Sequence, residues 1–154
     1  MYYFFLTGIL ISLDQITKYF IQTNMDLNKS VPVVEGIFHI TYIHNYGAAF
    51  SILQGKQIVL IGVTLIAIAA VLTYMFINRK SSHWSLMLSL AFIAGGGIGN
   101  LINRIRVGYV VDFLDFRFFP IFNIADICVC CGAGLLIIYM FYFEPRIKRL
   151  ETYS

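Results

Sequence analysis

The residues best suited to chemistry in this sequence are two aspartates. Asp112 lies in Val110-Val111-Asp112-Phe113, and Asp126 lies in Phe122-Asn123-Ile124-Ala125-Asp126. Each is an acidic point on an apolar background. A charge at the centre of a membrane span costs about 2.5–3.5 kcal/mol, and less near the interface, unless it is paired, solvated or protonated. Two carboxylates held close together share a proton. The ionised one can then take a proton from water, while the protonated one polarises a carbonyl or protonates a leaving amine. Asp115, three residues after Asp112, is also acidic, and on chemistry alone either could partner Asp126. Asn123 stands three before Asp126 and suits an N-cap, and an acid in a first helical turn is favoured by the helix dipole.

Other reactive side chains offer less. His39 and His44 read as part of a polar loop and His83 as part of a short connector, none with a partner at ligand spacing. Cys128, Cys130 and Cys131 all fall in the last apolar stretch. No His or second Cys pair completes a zinc pattern, so they read as packing or lipid-facing residues. No Ser-His or Cys-His arrangement is visible, and neither a metal nor a cofactor is expected.

The elements that must position the aspartates are membrane helices. Of 154 residues, 59% are hydrophobic and only 12% charged, against about 25% charged in a soluble domain. Four segments, at about 2–21, 57–77, 84–102 and 124–143, approach the roughly 20 apolar residues that a span needs. The expected fold is a single α-helical integral membrane domain over 1–154. It has four transmembrane helices and a small extracytoplasmic region containing β-structure. The first segment lacks the basic start and cleavage site of a signal peptide and carries Asp14 and Lys18, so it reads as a retained helix. Ile37 to His44 is rich in β-branched and aromatic residues and reads as a strand or two at the membrane surface.

Arg79, Lys80, Arg146, Lys148 and Arg149 flank the spans on one side, and Lys29, Lys56, Arg104, Arg106 and Arg117 on the other. The first set is packed into fewer residues, which favours that side as cytoplasmic. Both termini are then expected inside, with the loops at 23–56 and 104–123 outside. The net charge of +3 comes from scattered basic residues, which argues against a nucleic-acid partner.

Further polar clusters mark the spans. Asp14 and Lys18 are four apart on one helix face and can pair. Asn45-Tyr46-Gly47-Ala48-Ala49-Phe50-Ser51 suits a tight turn after the strand. The third span ends in Gly95-Gly96-Gly97-Ile98-Gly99-Asn100-Leu101-Ile102-Asn103-Arg104. Gly95 and Gly99 suit close helix packing, and Asn100 and Arg104 share a face. The stretch lacks the Lys-Ser/Thr of a phosphate loop.

Taken together, Leu-Asp-Gln-Ile-Thr-Lys, Asn-Tyr-Gly-Ala-Ala-Phe-Ser, Gly-Asn-Leu-Ile-Asn-Arg, Val-Val-Asp-Phe and Phe-Asn-Ile-Ala-Asp occur here in that order. This resembles bacterial lipoprotein signal peptidase, also called signal peptidase II, over essentially the whole chain. The resemblance implies an aspartic endopeptidase of the cytoplasmic membrane. Such an enzyme removes signal peptides from prolipoproteins just before a cysteine that carries diacylglycerol. It assigns the catalytic pair to Asp112 and Asp126 rather than Asp115. It associates Asp14, Lys18, Asn45, Gly47, Asn100, Arg104, Asn123 and Ala125 with the site or its support. Lipid-modified prolipoproteins and membrane lipids are the expected partners, and a monomer is expected. Asn103 departs from the family's usual Asp and removes a charge near the site. The competing reading is a small proton-coupled exporter built on Asp14. It leaves Asp112, Asp126 and the large outer loop unexplained.

Overall fold

The computed structural model describes residues 1–47 and 56–152, with side chains through 149. Helix α1 spans Tyr2–Asn24, and strands β1 (Ser30–Val34) and β2 (Phe38–Asn45) follow. Helices α2 (Gln57–Ile77) and α3 (Trp84–Val107) precede β3 (Val110–Asp115). Helix α4 (Ile124–Ile138) runs through a π-helical turn, Tyr139–Phe143, into α5 (Glu144–Thr152). Among the described residues, four helical stretches are long and apolar enough to cross a membrane: Tyr2–Asn24, Gln57–Ile77, Trp84–Val107 and Ile124–Arg149.

The expected spans are all present, but three run further than hydropathy suggests. Helix α3 continues past 102 to Val107, so Arg104 belongs to its last turns and not to a loop. It stops where Gly108 adopts φ +79°, a left-handed conformation that suits glycine. The strand expected over 37–44 is β2, which holds both His39 and His44, and Asp112 is a residue of β3 rather than of a loop. His83 caps α3, accepting the Ser85 N–H.

Helix α3 is the centre of the bundle, packing on α1, α2 and α4. Small residues permit this. A Cβ on Gly95 would lie 2.9 Å from Leu10 Cβ, and one on Gly99 2.6 Å from an Asp14 carboxylate oxygen. Gly96 is tighter still: its Cβ would overlap the Ala125 carbonyl oxygen and meet Val129 Cγ2 at 2.8 Å. Gly96→Ala should therefore push α4 off α3, costing about 1–3 kcal/mol and displacing Asp126. Gly62, where an added methyl would find nothing within 4 Å, should accept Ala without change. Thermal unfolding and turnover of the two variants check this; equal behaviour would contradict it.

The far end of the bundle is closed by Met75, Leu86, Met87, Leu90 and Ala91. At the other end Ile21 of α1 packs with Tyr42, Val111 and Phe113 and anchors the sheet. That sheet is antiparallel, in the order β1-β2-β3. Cys128 is buried, whereas Cys130 and Cys131 are exposed, Cys130 toward the cavity described below.

Candidate active site

Residues Asp112 and Asp126 meet through Asn123. Phe122 exchanges backbone hydrogen bonds with Leu114 (2.8 and 3.1 Å), which folds the chain back on β3. Asn123 follows directly and so arrives beside Asp112. Its side-chain amide donates to Asp112 Oδ1 at 2.6 Å. Its backbone N–H donates to Asp126 Oδ2 at 3.2 Å, and the Asp126 N–H donates to Asn123 Oδ1 at 3.0 Å. This is a reciprocal capping box opening α4. The sequence-level N-cap is therefore present, and it also bridges the two acids.

Alternation along β3 separates the two acids of that strand. Positions 112 and 115 are an odd number apart, so their side chains point to opposite faces. Asp112 pairs across the sheet with Ile43. Asn45, two residues on and on the same face, donates to Asp112 Oδ2 at 2.8 Å. On the other face Asp115 accepts from Thr41 Oγ1 at 2.7 Å and from the Arg117 guanidinium at 2.9 Å. Burial pushes Asp115 upward, but these donors outweigh it and hold its pKa below the ordinary carboxylate value.

Only 1% of Asp112 is exposed. Burial, followed by the negative charge of Asp126, raises its pKa from 3.8 to about 6, against the donors Asn45 and Asn123. Ionising it in the folded protein thus costs about 3 kcal/mol more than in the unfolded chain. The folded state holds this proton more tightly. The stability that Asp112 contributes is therefore complete below about pH 4 and is lost as pH rises through about 6. Infrared difference spectra against Asp112→Asn should show a carboxyl band titrating near 6. Asp126→Asn should move that midpoint down, because the repelling charge is gone. An unchanged midpoint would remove the coupling.

Behind the acids stands a buried polar chain. Asn100 Nδ2 donates to Asp126 Oδ1 at 2.8 Å. Asn100 Oδ1 accepts from Lys18 Nζ at 2.8 Å and from Asn123 Nδ2 at 3.1 Å. Lys18 and Asp14 pair at 2.9 Å, with 1% of each side chain exposed. Asp14 also accepts the Ala125 N–H at 2.9 Å and Gln15 Nε2 at 2.9 Å. Lys18 therefore fixes which end of the Asn100 amide faces Asp126. The sequence shows the Asp14–Lys18 spacing, but not this link across 82 residues.

At the front, the Gly47 N–H donates to Asn45 Oδ1 at 2.9 Å, and Arg104 Nη2 donates to the Gly47 carbonyl at 3.0 Å. Arg104 Nε is buried without a hydrogen-bond partner among the described residues. Ala48 to Ser51, the rest of that motif, lie outside the described residues. Asn103 Oδ1 accepts the Val111 N–H at 3.3 Å, tying α3 to β3 without an ion pair. His44 stacks on Tyr109 with centroids 3.6 Å apart, and burial lowers its pKa.

Both acids open on one cavity of about 710 Å³. Asn45, Asn100, Arg104, Asp112 and Asp126 line its polar end. Leu60, Val63, Ala67, Ile68, Ile93 and Val129, from α2, α3 and α4, line its apolar end.

Comparison with known proteins agrees with this architecture. Residues 6–142 match the family model described as signal peptidase (SPase) II. The lipoprotein signal peptidase of Halothermothrix orenii is 46% identical over 88% of this chain and 92% of its own length. That of Clostridioides difficile is 39% identical over 96% of this chain and the whole of its own length. A solved bacterial membrane enzyme superposes with a TM-score of 0.84 at 34% identity, covering 90% of this chain and 86% of its own. The chain is thus a multi-pass membrane protease and belongs to the signal peptidase II family.

Proposed function

We propose that this chain cleaves diacylglyceryl-modified prolipoproteins just before the lipid-bearing cysteine, by water activation on the pair Asp112 and Asp126. The observation that carries the reading is that both carboxylates line one cavity with a polar end and an apolar end at the level of the spans. Close carboxylates cannot both ionise readily. One takes a proton from water and the other, protonated, polarises the scissile carbonyl and later serves the leaving amine. The pair titrates as a unit, so neither role belongs to one residue. Asn123 holds both acids, Asn100 orients Asp126 from behind, and Asn45 and Gly47 shape the front rim. The unpartnered Arg104 Nε supports a role in holding a backbone carbonyl of the substrate. Asp14, Lys18 and Ala125 form the supporting layer.

In the same reading, residues 1–154 act as one domain and as a monomer in the bacterial cytoplasmic membrane. The site faces outward and both termini lie inside. The acyl chains stay in the bilayer against the apolar end of the cavity. The exporter alternative rests on Asp14, but Asp14 is fully buried and engaged by Lys18, Gln15 and the Ala125 N–H.

Purified protein, supplied with a precursor with and without the diacylglyceryl group, tests the reading. Only the lipidated precursor should be cut, and mass spectrometry should place the lipidated cysteine at the new N-terminus. Equal cleavage of both would remove lipid from recognition, and no cleavage of either would defeat the proposal.

A further inference from the structure

A second hollow, of about 330 Å³, lies between α1 and α3 and is lined by residues other than those of the catalytic cavity. Asn100 and Arg104 line the catalytic cavity, whereas Asn103 and Arg106 line this groove. Its floor is polar although it lies within two membrane-spanning helices. Lys18, Gln22 and Asn103 form part of it, and Tyr19 and Arg106 stand at its exposed edge. Lys18 and Asn103 already hold partners, so the charge left to recruit a polar ligand is that of Arg106. Two cations line the groove, and Lys18 is neutralised by Asp14 at 2.9 Å. Arg106 has no carboxylate within ion-pair distance among the described residues, so the groove carries a net positive charge.

We propose that this groove seats the headgroup of an anionic phospholipid. A phosphodiester brings one negative charge and acceptor oxygens only. The groove offers the matching set: the Arg106 guanidinium, the Tyr19 hydroxyl and the amide of Gln22. Asn103 adds its amide donor end, since its oxygen already accepts the Val111 N–H. A planar guanidinium suits a phosphate in geometry as well as charge. Both helices end close by, at Asn24 and Val107, which places the groove near the headgroup level. Below it, the exposed side chain of Ile16 provides an apolar surface for acyl chains. A choline headgroup adds a fixed positive charge beside Arg106 and is disfavoured.

Native mass spectrometry of the full chain, titrated with phosphatidylglycerol or phosphatidylcholine in detergent, tests the assignment. Phosphatidylglycerol should be retained roughly five-fold more strongly, the scale of one basic residue acting on an anionic lipid. Arg106→Gln should abolish that preference, while Lys29→Gln, which removes an exposed cation elsewhere, should keep it. Cleavage of lipidated precursor in detergent should be unchanged in Arg106→Gln. Equal retention of the two lipids by the unaltered chain, or an intact preference in Arg106→Gln, would overturn the proposal. So would displacement of the bound lipid by excess glycerol 3-phosphate, which would make a soluble phosphate ester the ligand.

Discussion

Asp112→Asn and Asp126→Asn should each reduce turnover of a lipid-modified precursor on the order of 10³-fold or more, with the protein still inserted and folded. Asparagine keeps the shape of the carboxylate and removes its charge, though one of the two accepting oxygens becomes an amide donor facing Asn45, Asn123 or Asn100, a local cost the fold should bear. What it destroys is the pair: one group can no longer exchange a proton with water or with the leaving amine. The double variant should be no slower than the worse single one, because a pair that acts as a unit is lost with its first member. Asp115→Asn is the control. Asp115 lies on the opposite face of β3, held by Thr41 and Arg117, so it should cost some stability and leave most activity. Turnover near normal in either dyad variant would end the mechanism. Complete loss in Asp115→Asn would reassign the partner of Asp126.

The second large effect concerns stability. Lys18→Met should lower it by about 3–5 kcal/mol, the scale for breaking a buried ion pair. It leaves the Asp14 carboxylate, which is 0% exposed, without its counter-charge. Activity should fall as well, since Lys18 no longer fixes the Asn100 amide. The double variant Asp14→Asn with Lys18→Met carries no unpaired charge and should recover much of the stability. It should not recover the activity, because the bond from Lys18 to Asn100 is still absent. Thermal unfolding in detergent and turnover of the three variants separate the two effects. Equal stability of the single and double variants would mean that the pair's charge is not what holds α1 in place.

Much of the architecture is legible in the sequence because its causes are local. Four apolar stretches specify four helices, Asn123 and Asp126 at i, i+3 specify a cap, and Asp14 and Lys18 at i, i+4 specify a pair. Helix ends are less legible. Asn103, Arg104 and Arg106 interrupt the hydropathy of the third span, yet the backbone continues helically to Gly108. β3 is hidden for another reason. Val110 to Asp115 is too short and too acidic to announce a strand, and its pairing with β2 depends on residues some 70 positions earlier. That strand is what turns Asp112 and Asp115 to opposite faces, so sequence chemistry alone leaves the choice between them open. The resemblance implies Asp112, and the register turns Asp112, not Asp115, toward Asn123 and the cavity. The Gly95–Gly99 spacing does not single out Gly96, because its need is set by the Ala125 carbonyl of another helix.

Helix α2 carries one further consequence. It packs on α3 and on no other element to a comparable extent, and only Leu60 and Met75 along its length are buried. Met75 lies in the far core, while Leu60 sits at the cavity. Mechanically this is a beam pinned at two points, one toward each end, with most of its length exposed. A thicker or thinner membrane should therefore reorient this span before the others and resize the cavity beside Leu60.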